Sequence, residues 1–391
     1  MDTLEIIFWV LLGLIFYSYL GYGLILFIMV KIKRGLKGRK TTSATNFEPP
    51  VTLFIAAYNE EDIIEEKVKN CLALDYPQWK LDILFVTDGS NDRTREILER
   101  HEGIRVSHDD QRGGKIGAIN RGVGLVKSPF IVFCDANTML NREAIREIVN
   151  CFADEKVGCV AGEKRIFNKA ADSASGAGEG IYWRYESALK KWDAELYSAV
   201  GAAGELFAVR RELFEAVEKD TILDDFIISL RIALRGYKID YQPKAFAIET
   251  ASASIADEMK RKVRICAGGI QSIVRLLPLL NILKHGLLSF QYISHRVLRW
   301  TITPLALLAI IPINVALMQW YEGIYTYLLW GQMAFYLSAI IGWVLENRQI
   351  RIKMLFIPFY FFIMNLAVFM GFVRYLKGKQ SVLWERARRA T

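Results

Sequence analysis

Three apolar runs in this chain end on side chains that can bind a polar ligand. Residues 51–57 (VTLFIAA) lead into Tyr58-Asn59-Glu60. Residues 81–87 (LDILFVT) lead into Asp88-Gly89-Ser90. Residues 129–134 (PFIVFC) lead into Asp135-Ala136-Asn137. Asp and Asn favour turns, which explains any one of these on its own. All three converging on one edge point instead to a ligand held by carboxylates and amides. A fourth segment, Gly113-Gly114-Lys115, opens a helical stretch. A helix N-terminus with a lysine suits an anion such as a diphosphate. The chain has no G-x-x-x-x-G-K-[ST] and no G-x-G-x-x-G after a strand, which argues against a P-loop or a dinucleotide site.

The elements that must position these residues alternate. After the 51–57 strand a helix is expected over 60–74, then a strand over 81–87. A helix capped by Ser90-Asn91-Asp92 runs to about residue 100, followed by a short strand, IRVSH. A helix over 115–126, a strand over 129–135 and a helix over 141–153 complete the pattern. This alternation predicts an α/β domain with a mostly parallel sheet covered by helices on both faces. Ligands of such sheets lie beyond the carboxyl ends of the strands.

Composition adds a membrane frame. The chain has 391 residues, 52% hydrophobic, with net charge +8 and mean hydropathy +0.19. The apolar content concentrates at 6–30 and 297–374. Residues 6–30 carry no charge and exceed the roughly 20 residues that span a bilayer. The run is too long for a signal-peptide core, and no basic segment precedes it. Lys31, Lys33, Arg34, Lys37, Arg39 and Lys40 follow it, while Asp2 and Glu5 precede it. The positive-inside rule puts the N-terminus outside and residue 40 onward in the cytoplasm of a multi-pass protein of the cell membrane. Further spans are expected near 297–318, 324–345 and 354–374, after amphipathic helices lying in the interface over 256–290. One span plus three leaves a basic tail outside, against the rule, and Pro358 and Asn365 make 354–374 the segment whose crossing is open. The resulting division is 1–40, N-terminal span and basic flank; 41–255, cytoplasmic domain; 256–295, interface helices; 296–376, C-terminal spans; 377–391, basic tail. Five cysteines without C-x-x-C spacing read as free thiols in a reducing compartment. Four histidines without ligand spacing argue against zinc. The basic clusters flank spans rather than a soluble groove, so no nucleic-acid partner is expected.

Taken together, these residues resemble family 2 glycosyltransferases with the GT-A fold (the nucleotide-diphospho-sugar transferase fold), in particular the membrane-embedded cellulose, hyaluronan, chitin-oligosaccharide and poly-N-acetylglucosamine synthases. Ala57-Tyr58-Asn59-Glu60 looks like the first nucleotide-contacting segment, and Asp88 like the uridine-binding aspartate. Gly114-Lys115 is similar to the lysine contact near the nucleotide, and Asp135-Ala136-Asn137 stands where the family has its D-x-D metal motif. Gly201-Ala202-Ala203-Gly204, with Glu205, resembles the segment lining the acceptor end. Asp224-Asp225 stands where the family has T-E-D or E-D, which makes Asp225 the expected base. Arg261-Lys262-Val263-Arg264-Ile265 stands at Q-x-x-R-W, and Trp384 with Arg388 resembles a terminal element of these enzymes.

The resemblance implies a UDP-sugar donor, Mg²⁺ or Mn²⁺, and a polysaccharide or lipid-linked acceptor at the bilayer. Asp135 would ligate the metal, Arg261 and Arg264 would meet the diphosphate, and one base with direct displacement would invert the anomeric carbon. Two departures matter. Asn137 replaces an aspartate, which predicts weaker metal binding. Ile265 replaces a tryptophan that would stack on the acceptor sugar, with Arg261 in place of Gln, and this counts against long-chain processivity. Tyr182, Trp183 or Tyr185 could supply aromatic surface instead, or simply form a helix face. The expected activity is therefore polymer or oligosaccharide extension, coupled or not to export. A single addition to a lipid-linked acceptor and an inert assembly subunit are the alternatives.

Overall fold

Alternate residues of the 51–57 run face opposite sides, as a strand requires. Val51, Leu53, Ile55 and Ala57 enter one apolar cluster, while Phe54 enters the other. The computed structural model describes residues 3–38, 47–167, 174–250, 255–321, 323–348, 350 and 352–378. Trp384 and Arg388 lie outside these residues, as do the tail's basic residues from Lys379 onward.

The soluble domain is built on eight strands: β1 (Val51–Ala57), β2 (Leu81–Asp88), β3 (Arg105–Asp109), β4 (Phe130–Asp135), β5 (Met139–Leu140), β6 (Val157–Phe167), β7 (Leu206–Arg210) and β8 (Lys238–Thr250). They form one sheet in the order β3-β2-β1-β4-β7-β6-β8-β5. The β1–β2, β1–β4, β2–β3 and β6–β8 pairs are parallel, and the β4–β7, β6–β7 and β5–β8 pairs are antiparallel. The sheet is thus more mixed than the alternation predicted. The chain enters β7 beside the carboxyl end of β4, with Leu206 opposite Cys134, and so runs back. This reversal brings Gly204 and Glu205 to the edge where β1, β2 and β4 end.

The N-terminal helix, α1 (Thr3–Phe16), passes through a π turn at Tyr17–Gly21 into α2 (Tyr22–Lys37). Within the domain follow α3 (Ile64–Leu72), α4 (Thr94–Glu99), α5 (Gly114–Val123), α6 (Ala144–Asn150), α7 (Ala174–Leu196) and α8 (Asp224–Leu234). The amphipathic α9 (Ile255–Arg275) leads to the short helices α10 (Ile282–His285) and α11 (Leu287–Tyr292). A second π turn, Ile293–Val297, continues into α12 (Leu298–Trp300). Helices α13 (Ile302–Trp320), α14 (Ile324–Asn347) and α15 (Lys353–Leu376) close the described chain.

Among the described residues, four helices are long and apolar enough to cross a membrane: Thr3–Leu36, Ile302–Trp320, Ile324–Asn347 and Met354–Leu376. The last runs unbroken through Pro358. The Asn365 amide donates to the Phe361 carbonyl at 2.9 Å and accepts from Tyr19 Oη at 2.5 Å, so neither polar interruption ends the helix. Side-chain contacts fix the depth of α1 against its neighbours. Trp9 Nε1 donates to Tyr325 Oη at 3.1 Å at one end, and Ser18 Oγ meets Thr303 Oγ1 at 2.7 Å at the other. Beyond that second end, Lys33 donates to the Glu195 and Leu196 carbonyls at 2.6 and 2.8 Å, at the end of α7. Arg34 binds the Glu195 carboxylate through two bonds of 2.5 and 2.6 Å. Two of the basic residues after the first span therefore clamp the soluble domain rather than face lipid headgroups.

Candidate active site

In-register pairing sets the site. Ala57 lies opposite Thr87 and Ala56 opposite Asp135, so β1, β2 and β4 end at one edge. A cleft open to solvent sits there, lined by Ala56, Ala57, Tyr58, Asp88, Arg112, Gly114, Lys115 and Ala118. The Arg112 guanidinium covers the Tyr58 ring at 3.8 Å, which leaves a flat polar wall suited to a planar ring. Arg112 went unnoticed in the sequence because no spacing links it to Tyr58.

Asp88 is 4% exposed, and both its oxygens accept backbone N–H bonds, from Gly113 at 3.1 Å and Gly114 at 2.7 Å. It thereby fixes the start of α5 and aims Lys115. Asn59 and Glu60 brace the neighbouring loop. Asn59 takes φ +50°, its amide exchanges bonds with Asn91 at 2.7 and 3.0 Å, and Glu60 N donates to Thr94 Oγ1 at 2.8 Å. Asn adopts this left-handed backbone more readily than most residues. Of the first expected segment, Ala57 and Tyr58 line the cleft, while the Asn59 amide is used to hold the loop.

Lys115 stands at the centre. Its Nζ lies 2.8 Å from Asp135 Oδ1 and 3.5 Å from Asp224 Oδ2. Burial opposes the ammonium charge, but Asp135, Asp224 and Asp225 outweigh it and hold the group well above its ordinary range. Burial also raises Asp135, against the pull of Lys115. For Asp225, burial and then the charge of Asp224 push the carboxyl up to about 7, with Lys115 pulling the other way. Asp225 sits in the first turn of α8, and its Oδ1 accepts from Phe226 N at 2.8 Å. Gly204 makes the approach possible. A Cβ there would sit 3.2 Å from Lys115 Nζ and 3.4 Å from Asp225 Oδ2, filling the space between them. Gly201 takes φ +83°, and a Cβ on it would collide with the Phe226 ring. Ala202 N donates to Ser229 Oγ at 3.0 Å, which ties this segment to α8.

The Asp135-Ala136-Asn137 turn fits a divalent cation. Asp135 offers a carboxylate, and Asn137 Oδ1 is buried without any hydrogen-bond partner. Among the described residues no three His, Cys, Asp or Glu side chains gather as a cage. A cation that shares its shell with phosphate oxygens needs only one or two protein ligands. Behind this turn lies Lys67 of α3, 0% exposed. Its Nζ donates to the Thr138 carbonyl at 2.5 Å and contacts Cys134 Sγ at 2.9 Å, gripping both sides of the motif. Its place on a polar-looking helix gave no sign of this role. All five cysteines are free and buried.

Glu205 enters a second buried network. Lys164, of which 2% of the side chain is exposed, binds Glu205 Oε1 at 2.5 Å and also pairs with Glu249. Burial works against the Glu205 charge, yet Lys164 and then Arg261 hold that carboxyl well below its usual range. Arg261 itself binds Glu258 at 3.1 and 3.2 Å and approaches Glu249 at 3.6 Å. The arginine that replaces Gln is thus engaged behind Glu205. Arg264, half-buried three residues on, forms no ion pair with any described residue. Tyr185 donates to the Tyr19 carbonyl at 2.7 Å, packing against the N-terminal helix instead of offering a stacking face. The side chains of Tyr182 and Trp183 lie outside the described residues.

The solved structure of a mannosyltransferase from Pyrobaculum calidifontis, in complex with GDP-Man and Mn²⁺, matches with TM-score 0.73, covering 96% of this chain and 100% of that one at 22% identity, a likeness of fold. A poly-β-1,6-N-acetyl-D-glucosamine synthase of Staphylococcus aureus is 30% identical over 236 residues, 58% of this chain and 56% of that relative. One of Staphylococcus epidermidis is 23% identical over 84% of each chain. The family model described as "Glycosyltransferase like family 2" matches residues 49–268. With that match spanning more than half of its length, the chain belongs to glycosyltransferase-like family 2.

Proposed function

We propose that the protein is an inverting glycosyltransferase that moves a hexose or N-acetylhexosamine from a UDP-sugar to a polysaccharide or oligosaccharide acceptor at the membrane. The single observation that carries this reading is the arrangement of Asp135, Asp224 and Asp225 around Lys115 at the floor of the Tyr58–Arg112 cleft. The staphylococcal relatives, named for poly-N-acetylglucosamine synthesis, support the acceptor class.

In this reading the cleft holds the nucleotide base against Tyr58 and Arg112. Lys115, held at the start of α5 by the Asp88 bonds to Gly113 N and Gly114 N, meets the diphosphate. Asp135 and the Asn137 oxygen, buried without a hydrogen-bond partner, would hold Mg²⁺ or Mn²⁺, which would supply charge neutralisation to the leaving diphosphate. The acceptor hydroxyl lies beside Asp225, in the space that Gly204 leaves open. Asp225, with a carboxyl near 7, accepts the hydroxyl proton at a carboxylate oxygen as the acceptor oxygen attacks the anomeric carbon. The bond from that carbon to the diphosphate oxygen breaks with its electron pair, and configuration inverts. Arg264 of α9, which forms no ion pair with any described residue, meets the leaving group in this reading.

A second reading, single addition to a lipid-linked acceptor, is favoured by Ile265 in place of the stacking aromatic and by Arg261 bound to Glu258 and Glu249. For the cell membrane, the clamp of Lys33 and Arg34 on α7 supports a soluble domain on the side of the basic flank, the cytoplasmic side. Product length from a radiolabelled UDP-sugar separates the readings. A ladder of products supports extension, and a single product size supports single addition.

A further inference from the structure

Helix α8 carries Asp224 and Asp225 in its first turn, but its N-cap is Leu223, whose side chain cannot accept from the first-turn N–H groups as Ser, Thr, Asp or Asn would. Asp225 Oδ1 takes up one of them, Phe226 N, in a bond internal to the helix. The segment leading into α8 is held from outside, by α9. Gln271, 8% exposed, uses both ends of its amide on that segment's backbone. Its Nε2 donates to the Asp220 carbonyl at 2.8 Å, and its Oε1 accepts from Ile222 N at 3.0 Å. One turn further along α9, Arg275 donates to Thr221 Oγ1 at 2.8 Å and binds both carboxylate oxygens of Asp220 at 2.7 Å. Residues 220–222 are thus gripped by two side chains of one helix.

That helix is itself fixed in place. A Cβ on Gly268 would collide with Leu223 and Ile222, so the α9 backbone rests directly on the two residues before Asp224. At the neighbouring positions, a Cβ on Gly371 of α15 would collide with Cys266 and the Ala267 backbone. Val263 and Cys266 share an apolar cluster with Ala367 and Val368 of α15. The apolar helix α15 and the segment entering α8 therefore bear on adjacent residues of α9. Asp225 follows the clamped Ile222 by three residues, a stretch too short to absorb a shift of the clamp. Asp224 Oδ2, 3.5 Å from Lys115 Nζ, is buried without a hydrogen-bond partner, so no bond of its own holds it there.

We propose that Gln271, seconded by Arg275, is a positioning residue for glycosyl transfer: it acts through residues 220–222 and sets where Asp225 stands against Lys115 and the space beside Gly204. Through α9, the base takes its placement from the membrane-spanning helix α15. The inference rests on the reading of Asp225 as the base.

The test is steady-state kinetics of the full chain in detergent, with the UDP-sugar it turns over fastest, on Gln271→Met, Gln271→Glu, Arg275→Met and Asn141→Leu. Asn141 is the matched control. Its amide also bonds a backbone N–H and a carbonyl, those of Phe246 and Lys244 at 2.8 and 3.0 Å, but on β8 rather than ahead of α8. Gln271→Met should lower kcat about ten- to hundredfold, the range that a displacement of up to about 1 Å brings. KM for the donor and the affinity for UDP should stay within about twofold, since the lost interaction belongs to the transition state. Gln271→Glu, which still accepts from Ile222 N, should recover most of the loss, and Arg275→Met should lower kcat less. Asn141→Leu should lower the thermal midpoint comparably and keep kcat within about twofold. An unchanged kcat in Gln271→Met, or in Arg275→Met where Gln271→Met does not fold, overturns the proposal. So does a parallel loss of UDP affinity, or an equal kcat loss in Asn141→Leu. Asp225→Asn is measured alongside. Turnover retained there removes the base and the inference with it, whereas turnover lost there with kcat unchanged in Gln271→Met removes the inference alone.

Discussion

Replacing Asp225 by Asn tests its proposed role and its environment together. The carboxyl is lifted from 3.8 to about 7, first by burial and then by Asp224. A carboxyl raised in the folded state costs nothing at a pH below its unfolded value. The cost grows as pH rises from about 4 to 7 and is constant above that. The displacement corresponds to a ceiling of about 4 kcal/mol at pH 8. Asp225 keeps a partly exposed face and Lys115 lies close, so about 1–2 kcal/mol is the expected gain on neutralising it. The Asn oxygen can still accept from Phe226 N, which keeps the turn. Asp225→Asn should therefore raise the thermal midpoint by about 2–6 °C at pH 8 and leave it unchanged near pH 4. Turnover should fall by at least about a thousandfold, in line with the loss of a general base together with the geometry it sets, while UDP binding is retained. Differential scanning fluorimetry at the two pH values and a UDP-release assay read these outcomes. A lower midpoint at pH 8, or retained turnover, refutes the reasoning.

Other outcomes follow from the same geometry. The kcat/KM of the wild type should fall about tenfold per pH unit below about 7, as the proposed base takes up its proton; a flat profile down to pH 5 contradicts it. Asn137→Asp should lower the metal concentration for half-maximal activity by about three- to tenfold, because a carboxylate replaces an amide oxygen at a hard cation; unchanged metal dependence counts against Asn137 as a ligand. Lys67→Met should cost about 1–3 kcal/mol of stability through the lost Thr138 and Cys134 contacts. It should also weaken apparent metal affinity, by titration of Mn²⁺ against activity, more than it changes UDP binding; equal effects on both would reduce Lys67 to a general core residue.

Much of this was legible in the sequence because it is written locally. Strands β1, β2 and β4 are continuous apolar runs, and Asp88, Asp135 and Asn137 follow them directly. The antiparallel β7 was not legible. LFAVR is short, and its partner Cys134 lies some seventy residues earlier, so only tertiary packing decides its direction. Asp88 lines the cleft, as its place after β2 suggests, and its oxygens also hold the start of α5, which no spacing in the sequence shows. The buried charges Lys67, Lys164 and Lys190 resemble solvated helix or strand positions in sequence, and only burial distinguishes them. Pro358 and Asn365 suggested a broken span, but the Asn365 side chain is satisfied by Phe361 and Tyr19, and the helix continues. Ile265 and Asn137, in contrast, were visible as departures at once, because a resemblance fixed what should stand there.

The most direct test of the central claim is nucleoside diphosphate release by the purified protein across common nucleotide sugars, with Mg²⁺ or Mn²⁺ and membrane-extract acceptor. The account predicts release from at least one UDP-sugar, dependent on the metal and abolished by Asp225→Asn. Release that survives Asp225→Asn, or no release from any donor, contradicts it.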